Sequence, residues 1–178
     1  MEKEVVNKLE VAERQLIEAI SLFFEKRDKV TIHTIVASTH QVLFDVAKIS
    51  NVESALKNTS ALSKKEIREH LKSINYPYNF FKHADCDADS KINIGPLSRF
   101  TQDFIMDAVL MLQNLKGTIP VHAKIFWFWF VSEYPEEFSN LPPDGEIAKF
   151  QKENLASWSF EDISQFIKFC EIAEIGST

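Results

Sequence analysis

The sequence predicts an all-α fold, a helical bundle of about five to seven helices built as one domain over residues 1–178. Three observations carry this. Apolar residues recur at three- and four-residue spacing along almost the whole chain, the period of a helix with one buried face. No stretch alternates convincingly between apolar and polar, as a half-buried strand would. Glycine is scarce, four residues scattered at Gly95, Gly117, Gly145 and Gly176, and no linker-like stretch or internal repeat divides the chain. Scattered glycines also exclude a dinucleotide fingerprint and a phosphate loop, which need clustered glycines for close backbone approach.

The elements follow in order. The first helix is expected from Glu4 to Arg27, with Val5, Leu9, Ala12, Leu16, Ala19 and Phe23 inward. The run Lys26-Arg27-Asp28-Lys29 breaks the pattern as a tight turn. A second helix, Val30 to Ile49, places Ile32, Ile35, Val36, Val42, Leu43 and Val46 inward, so the pair forms an antiparallel hairpin. A third helix starts at Ser63, where Ser63 and Glu66 have capping-box spacing. It is expected to stop near Ile74, because Asn75-Tyr76-Pro77 disfavours helix, with a short helical piece from Tyr78 to Ala84 and a polar loop from Asp85 to Gly95. Pro96 opens a fourth helix, since a first-turn proline loses no hydrogen bond. Leu97, Phe100, Phe104, Ala108, Met111 and Leu115 are its stripe. A fifth helix from Pro120 to Glu133 carries Ile-Phe-Trp-Phe-Trp-Phe-Val, residues 125–131. A short helix is expected from Asp144 to Asn154. A last one begins at Ser159, with Phe160, Ile163, Ile167 and Cys170 inward.

Charge narrows the function. The net charge of −6 argues against a general nucleic-acid binder, which is usually basic, and leaves room for a local basic patch. Cys86 and Cys170 match no zinc spacing and read as reduced thiols. The charged start, Met-Glu-Lys-Glu-Val-Val, lacks a signal-peptide core. The aromatic run is far shorter than the roughly 18 residues of a membrane span. These observations predict a cytoplasmic protein with no membrane segment.

The densest polar segment is Tyr78-Asn79-Phe80-Phe81-Lys82-His83-Ala84-Asp85-Cys86-Asp87-Ala88-Asp89. As a site it would act through Asn79, Lys82 and His83. The plainer account is a turn buried by its phenylalanines and solvated by its aspartates. Asn-Phe-Phe-Lys-His-Ala-Asp resembles the signature of an uncharacterised group of bacterial all-α proteins, as do Ala12-Glu13-Arg14-Gln15-Leu16 and Ile32-His33-Thr34. More distantly, Asn79-x-x-Lys82-His83 is similar to the motif of the HEPN superfamily, helical bundles that are often dimeric and include many metal-independent ribonucleases. The position of that motif's arginine is held here by Tyr78. The resemblance implies an RNA- or nucleotide-facing module, with His83 moving a proton, Lys82 supplying the phosphate's counter-charge and Asn79 beside them as the catalytic set. Lys64, Arg68 and Lys72 recur every fourth residue, a basic stripe suited to binding phosphates or to plain solvation.

Two further readings compete. His33 and His40, two helical turns apart on one face, would join His83 as ligands of a transition metal. Seven-residue spacing leaves about 10.5 Å of rise between them, which suits structural histidines better. Without that metal, no cofactor is required. Asp85, Asp87 and Asp89 imitate a calcium loop but lack its glycine and closing glutamate, where Ser90 and Pro96 stand. Asp103 and Asp107, four apart, have the spacing of a magnesium-phosphate pair, though a solvated face is expected. In the other reading the protein is a structural or partner-binding module whose interface is the aromatic helix around residues 126–130; core packing is the alternative use of that run, and a homodimer is expected under any of these readings.

Overall fold

A computed structural model of the chain describes residues 4–58, 60–85, 87–138 and 155–175. Among them are six α-helices: α1 (Lys8–Phe24), α2 (Lys29–Ile49), α3 (Lys64–Lys82), α4 (Leu97–Lys116), α5 (Val121–Glu133) and α6 (Phe160–Ile175). Short 3-10 turns span Pro135–Phe138 and Leu155–Ser157. No strand occurs among the described residues. The expected helix from Asp144 to Asn154, and Cys86, lie outside them.

Local chemistry sets the helix ends. α1 starts at Lys8 rather than Glu4 because Asn7 and Glu10 form a capping box: Asn7 Oδ1 accepts from the Glu10 amide, and Glu10 Oε2 accepts from the Asn7 amide. Val5, expected inward, is therefore outside the helix and 73% exposed. α1 ends in a Schellman motif. The Arg27 amide donates to Leu22 O and the Lys26 amide to Phe23 O, with Lys26 in the left-handed region at φ 54°. α2 is capped by Asp28, and α3 by the Ser63–Glu66 box read from the sequence.

The expected break in α3 does not occur. The helix runs through Pro77 without interruption. Proline's φ suits a helix, and its cost is the missing hydrogen bond to the carbonyl of Ser73. Ser73 is an exposed residue, and a carbonyl open to solvent loses less by the missing bond than a buried one.

α1 and α2 pack antiparallel, and α2 lies along α4. The ladder of contacts His33–Thr101 and His40–Asp107 shows that α2 and α4 run parallel. α5 closes the other side of α1 with α6 beyond it. α3 packs on α2, fully burying Ile74 alone. The fifth helix is absorbed by the protein's own core. Phe126, Trp129 and Phe130 are buried, and Trp127 and Phe128 are half-buried. Phe23, Phe24, Phe126, Trp129 and Phe160 meet at ring-centroid distances of 5.2–6.1 Å, mostly edge-on or tilted, as aromatic quadrupoles prefer. Most of the aromatic surface expected to meet a partner on this helix is buried inside the chain, with Trp127 and Phe128 left half-exposed. No described helix is long and apolar enough to cross a membrane.

Candidate functional site

The proposed site residues fall into three separate environments. The first is the outer face of α3. Lys64, Arg68 and Lys72 are all exposed on one ridge, and the same fourth-residue row continues to Tyr76 and Phe80. Tyr76 is 50% exposed, with its ring centroid 6.3 Å from that of Phe80. α3 carries five cations against two carboxylates, a basic element in an acidic chain. Glu69 pairs with Lys65, beside the ridge. The ridge exists because α3 contributes so little to the core: one side settles on α2 through Leu71, Ile74 and Tyr78, and the other stays in water.

The second is the end of α3. His83 is the C-cap, its amide donating to Asn79 O, and its side chain is exposed. A groove of about 410 Å³ is lined by Tyr76, Asn79, Phe80, His83, Asp85 and Asp87. Asn79 and His83 do meet in this groove. Lys82 does not line it. Its ammonium lies 5.2 Å from the centre of the Tyr78 ring. The expected set of His83, Lys82 and Asn79 is divided accordingly: the two carboxylates, rather than the lysine, share the groove with the imidazole. A phosphate there would meet repulsion where the expected chemistry needs a cation.

The third is the core between α2 and α4. His33 and His40 are both fully buried. They do not converge with the exposed His83, and no group of three histidine, cysteine or acidic side chains suited to a metal occurs among the described residues. Each imidazole has its own partner instead. Thr101 donates its hydroxyl to Leu97 O, so its oxygen accepts from His33 Nδ1–H at 3.1 Å. His33 Nε2 then carries a lone pair, without a hydrogen-bond partner among the described residues. The ring is enclosed by Phe81, Phe100 and Phe104. Burial in this apolar cage lowers its pKa to about 4.

Asp107 was expected on a solvated face, and the structure overturns this. It is 3% exposed and accepts three hydrogen bonds: from His40 Nε2 at 2.6 Å, from Ser54 Oγ at 2.5 Å and from the Ala55 amide at 2.8 Å. Burial opposes its charge, but the bonds from His40 and Ser54 outweigh burial and leave its pKa below the usual carboxylate value. Burial also holds His40 below the usual histidine value, against the pull of Asp107. The pair is a carboxylate accepting from a neutral imidazole. Ser54 Oγ in turn accepts from the Lys57 amide. Lys57 is buried, and its ammonium reaches Gln41 Oε1 at 2.7 Å and lies 4.6 Å from the Phe44 ring centre. This network pins the α2–α3 connection onto α4. Its geometry is that of a latch: the serine and the histidine both donate to the aspartate, so the imidazole does not accept from the Ser54 hydroxyl as it would in a nucleophile–base pair. Ser54 and Lys57 were not legible as members. Asp107 carried a signal that the solvated-face reading passed over: it sits within the apolar row of Phe104, Ala108 and Met111. Asp103, its expected companion, pairs instead with Arg99 at 2.9 Å.

No family model, no curated protein and no solved structure matches the chain. Of the three environments, the buried one is structural and the groove at His83 is acidic. The ridge on α3 presents unshielded positive charge next to an open aromatic ring.

Proposed function

We propose that the protein is a binding module for single-stranded RNA, with the outer face of α3 as its contact surface. The observation that carries this is the exposed row Lys64, Arg68, Lys72 and Tyr76. Cations along a ridge follow a phosphate backbone, and a half-exposed aromatic ring offers a base a stacking partner. Asn79 and His83 border the same row and act as polar contacts beyond Tyr76 rather than as catalysts. The test is fluorescence anisotropy with a labelled single-stranded RNA. Three cations released against phosphates give a slope of log K on log salt of about −2, a loss of about 20-fold between 50 and 200 mM. The variant Lys64→Gln/Arg68→Gln/Lys72→Gln flattens that slope, and Tyr76→Ala weakens binding while leaving the slope intact. An unchanged slope in the triple variant refutes the reading.

The exposed apolar face of α6 favours a homodimer as the assembled form. Trp158, Phe166, Phe169 and Ile172 are 41%, 40%, 67% and 71% exposed, and the Trp158 and Phe166 rings touch at 5.8 Å. At 150–250 Å² per large side chain, the exposed part is roughly 400 Å². That matches the apolar share of the roughly 800 Å² each partner buries in an ordinary interface. A second copy docking α6 on α6 covers this face in one self-complementary contact. Light scattering after size exclusion reads a dimer for the parent and a monomer for Phe169→Ser/Ile172→Ser; a parent that is monomeric at all concentrations refutes the dimer.

A further inference from the structure

We propose that a pocket at the α1–α2 turn binds a small aromatic anion, an aryl phosphate or carboxylate, independently of the RNA face on α3. The pocket has a volume of about 300 Å³, at the lower end of the range for small-molecule sites. Its apolar walls are Phe23, Ile32 and Phe160. Its rim carries Lys26, Arg27 and Lys29, and no acidic side chain is among the described residues that line it. The nearby carboxylates have partners, and the rim's own Arg27 is one of them. Glu25 pairs with Arg27 at 3.2 Å and Lys168 at 3.3 Å, and Asp28 caps α2. Lys26 and Lys29 have no carboxylate partner among the described residues. Lys26 leans over the Phe160 ring at 5.5 Å.

The backbone adds to the same field. α2 and α4 run parallel, and both begin at this pocket, as does α6 with Phe160 as its first residue. First-turn residues of three helices, whose N-termini carry partial positive charge, therefore border one pocket. Those of α2 and α6 are capped, by Asp28 and by Ser159 with Asp162. α4 has no side-chain cap, and Ser98 in its first turn lines the pocket. Gln102 completes the donors. Its Oε1 accepts from the Tyr134 hydroxyl, which holds the side chain at the pocket wall. Flat apolar walls, two lysines without a carboxylate partner among the described residues and an uncapped helix start at one rim suit a ligand with an aromatic body and one anionic head.

Lys26 sharpens the argument. It stands at the left-handed C′ position of a Schellman motif, where glycine is the usual residue. A lysine held there against backbone preference points to a use for its side chain. It also supplies a variant that folds at least as well as the parent, Lys26→Gly.

The test is titration with 1-naphthyl phosphate, followed by amide NMR shifts and by urea midpoint as a check on folding. Saturable binding that shifts Lys29, Ser98 and Gln102 is expected, with the neutral 1-naphthalenemethanol and inorganic phosphate each binding more weakly. Lys26→Gly/Lys29→Gln weakens 1-naphthyl phosphate by at least about tenfold, the loss of charge-assisted contacts, with no fall in urea midpoint. The α3 triple variant binds it as the parent does, so failure here and failure of the RNA reading are separate results. Shifts confined to α3, or equal affinity in the Lys26/Lys29 variant, overturn the proposal. 1-Naphthoate in place of the phosphate distinguishes the two head groups.

Discussion

His33 makes the stability of the fold depend on pH through a single caged ring. In the native state its pKa is about 4, because Phe81, Phe100 and Phe104 surround it and no charge faces it. In the unfolded chain it takes the ordinary value of about 6.5. The unfolded state therefore binds a proton that the native state refuses, and stability falls as pH drops below 6.5. At pH 5.0 the unfolded ring is almost fully protonated and the native ring about one-tenth so. The linkage difference is then about 2 kcal/mol, rising towards about 3 kcal/mol below pH 4. His40, also held below its ordinary value by burial, adds a loss of the same sign. Urea unfolding at pH 7.5 and 5.0 isolates the His33 part when the parent is compared with His33→Leu and His33→Phe. Each variant loses the bond to Thr101, about 1 kcal/mol at both pH values, and the comparison between pH values removes it. The parent should lose about 2 kcal/mol more than either variant on going to pH 5.0. Equal losses in parent and variants would refute the buried neutral ring.

Three other outcomes follow from particular contacts. Asp107→Ala leaves the Ser54 hydroxyl, the Ala55 amide and His40 Nε2 without their shared acceptor, and should cost about 3–5 kcal/mol in a urea melt. Pro77→Ala restores a hydrogen bond to Ser73 O in a helix that is already continuous, and thermal unfolding should show a gain of about 1–3 kcal/mol. Ser63→Ala removes the cap of α3 and should cost about 1 kcal/mol, with amide exchange rising first in the turn that follows.

The α3 helix shows how far a local reading reaches. Its start was legible, because Ser63 and Glu66 satisfy each other's amides within one turn. Its continuation through Pro77 was not, because the penalty depends on whether Ser73 O meets water or protein, and that is set by where the helix lies. Its basic row was legible as a spacing. Its exposure depended on α3 packing with one side only.

The sequence by itself determined the helical class, the α1–α2 hairpin, and most helix starts, since periodicity, capping and proline placement act over one or two turns. Tertiary structure alone decided the use of each buried polar residue. His33 and His40 share a face of α2, yet which of them meets Thr101 and which meets Asp107 follows from α4 lying parallel to α2. The aromatic run of α5 is apolar all round, so only the packing of α1 and α6 shows that it is interior, and that the exposed apolar face belongs to α6. Lys26, Arg27 and Lys29 read as a turn in the sequence. They become the rim of a pocket because α4 and α6 start beside them, bringing residues some 70 and 130 positions away to the same end of the bundle, and contacts at that separation leave no local pattern in the chain.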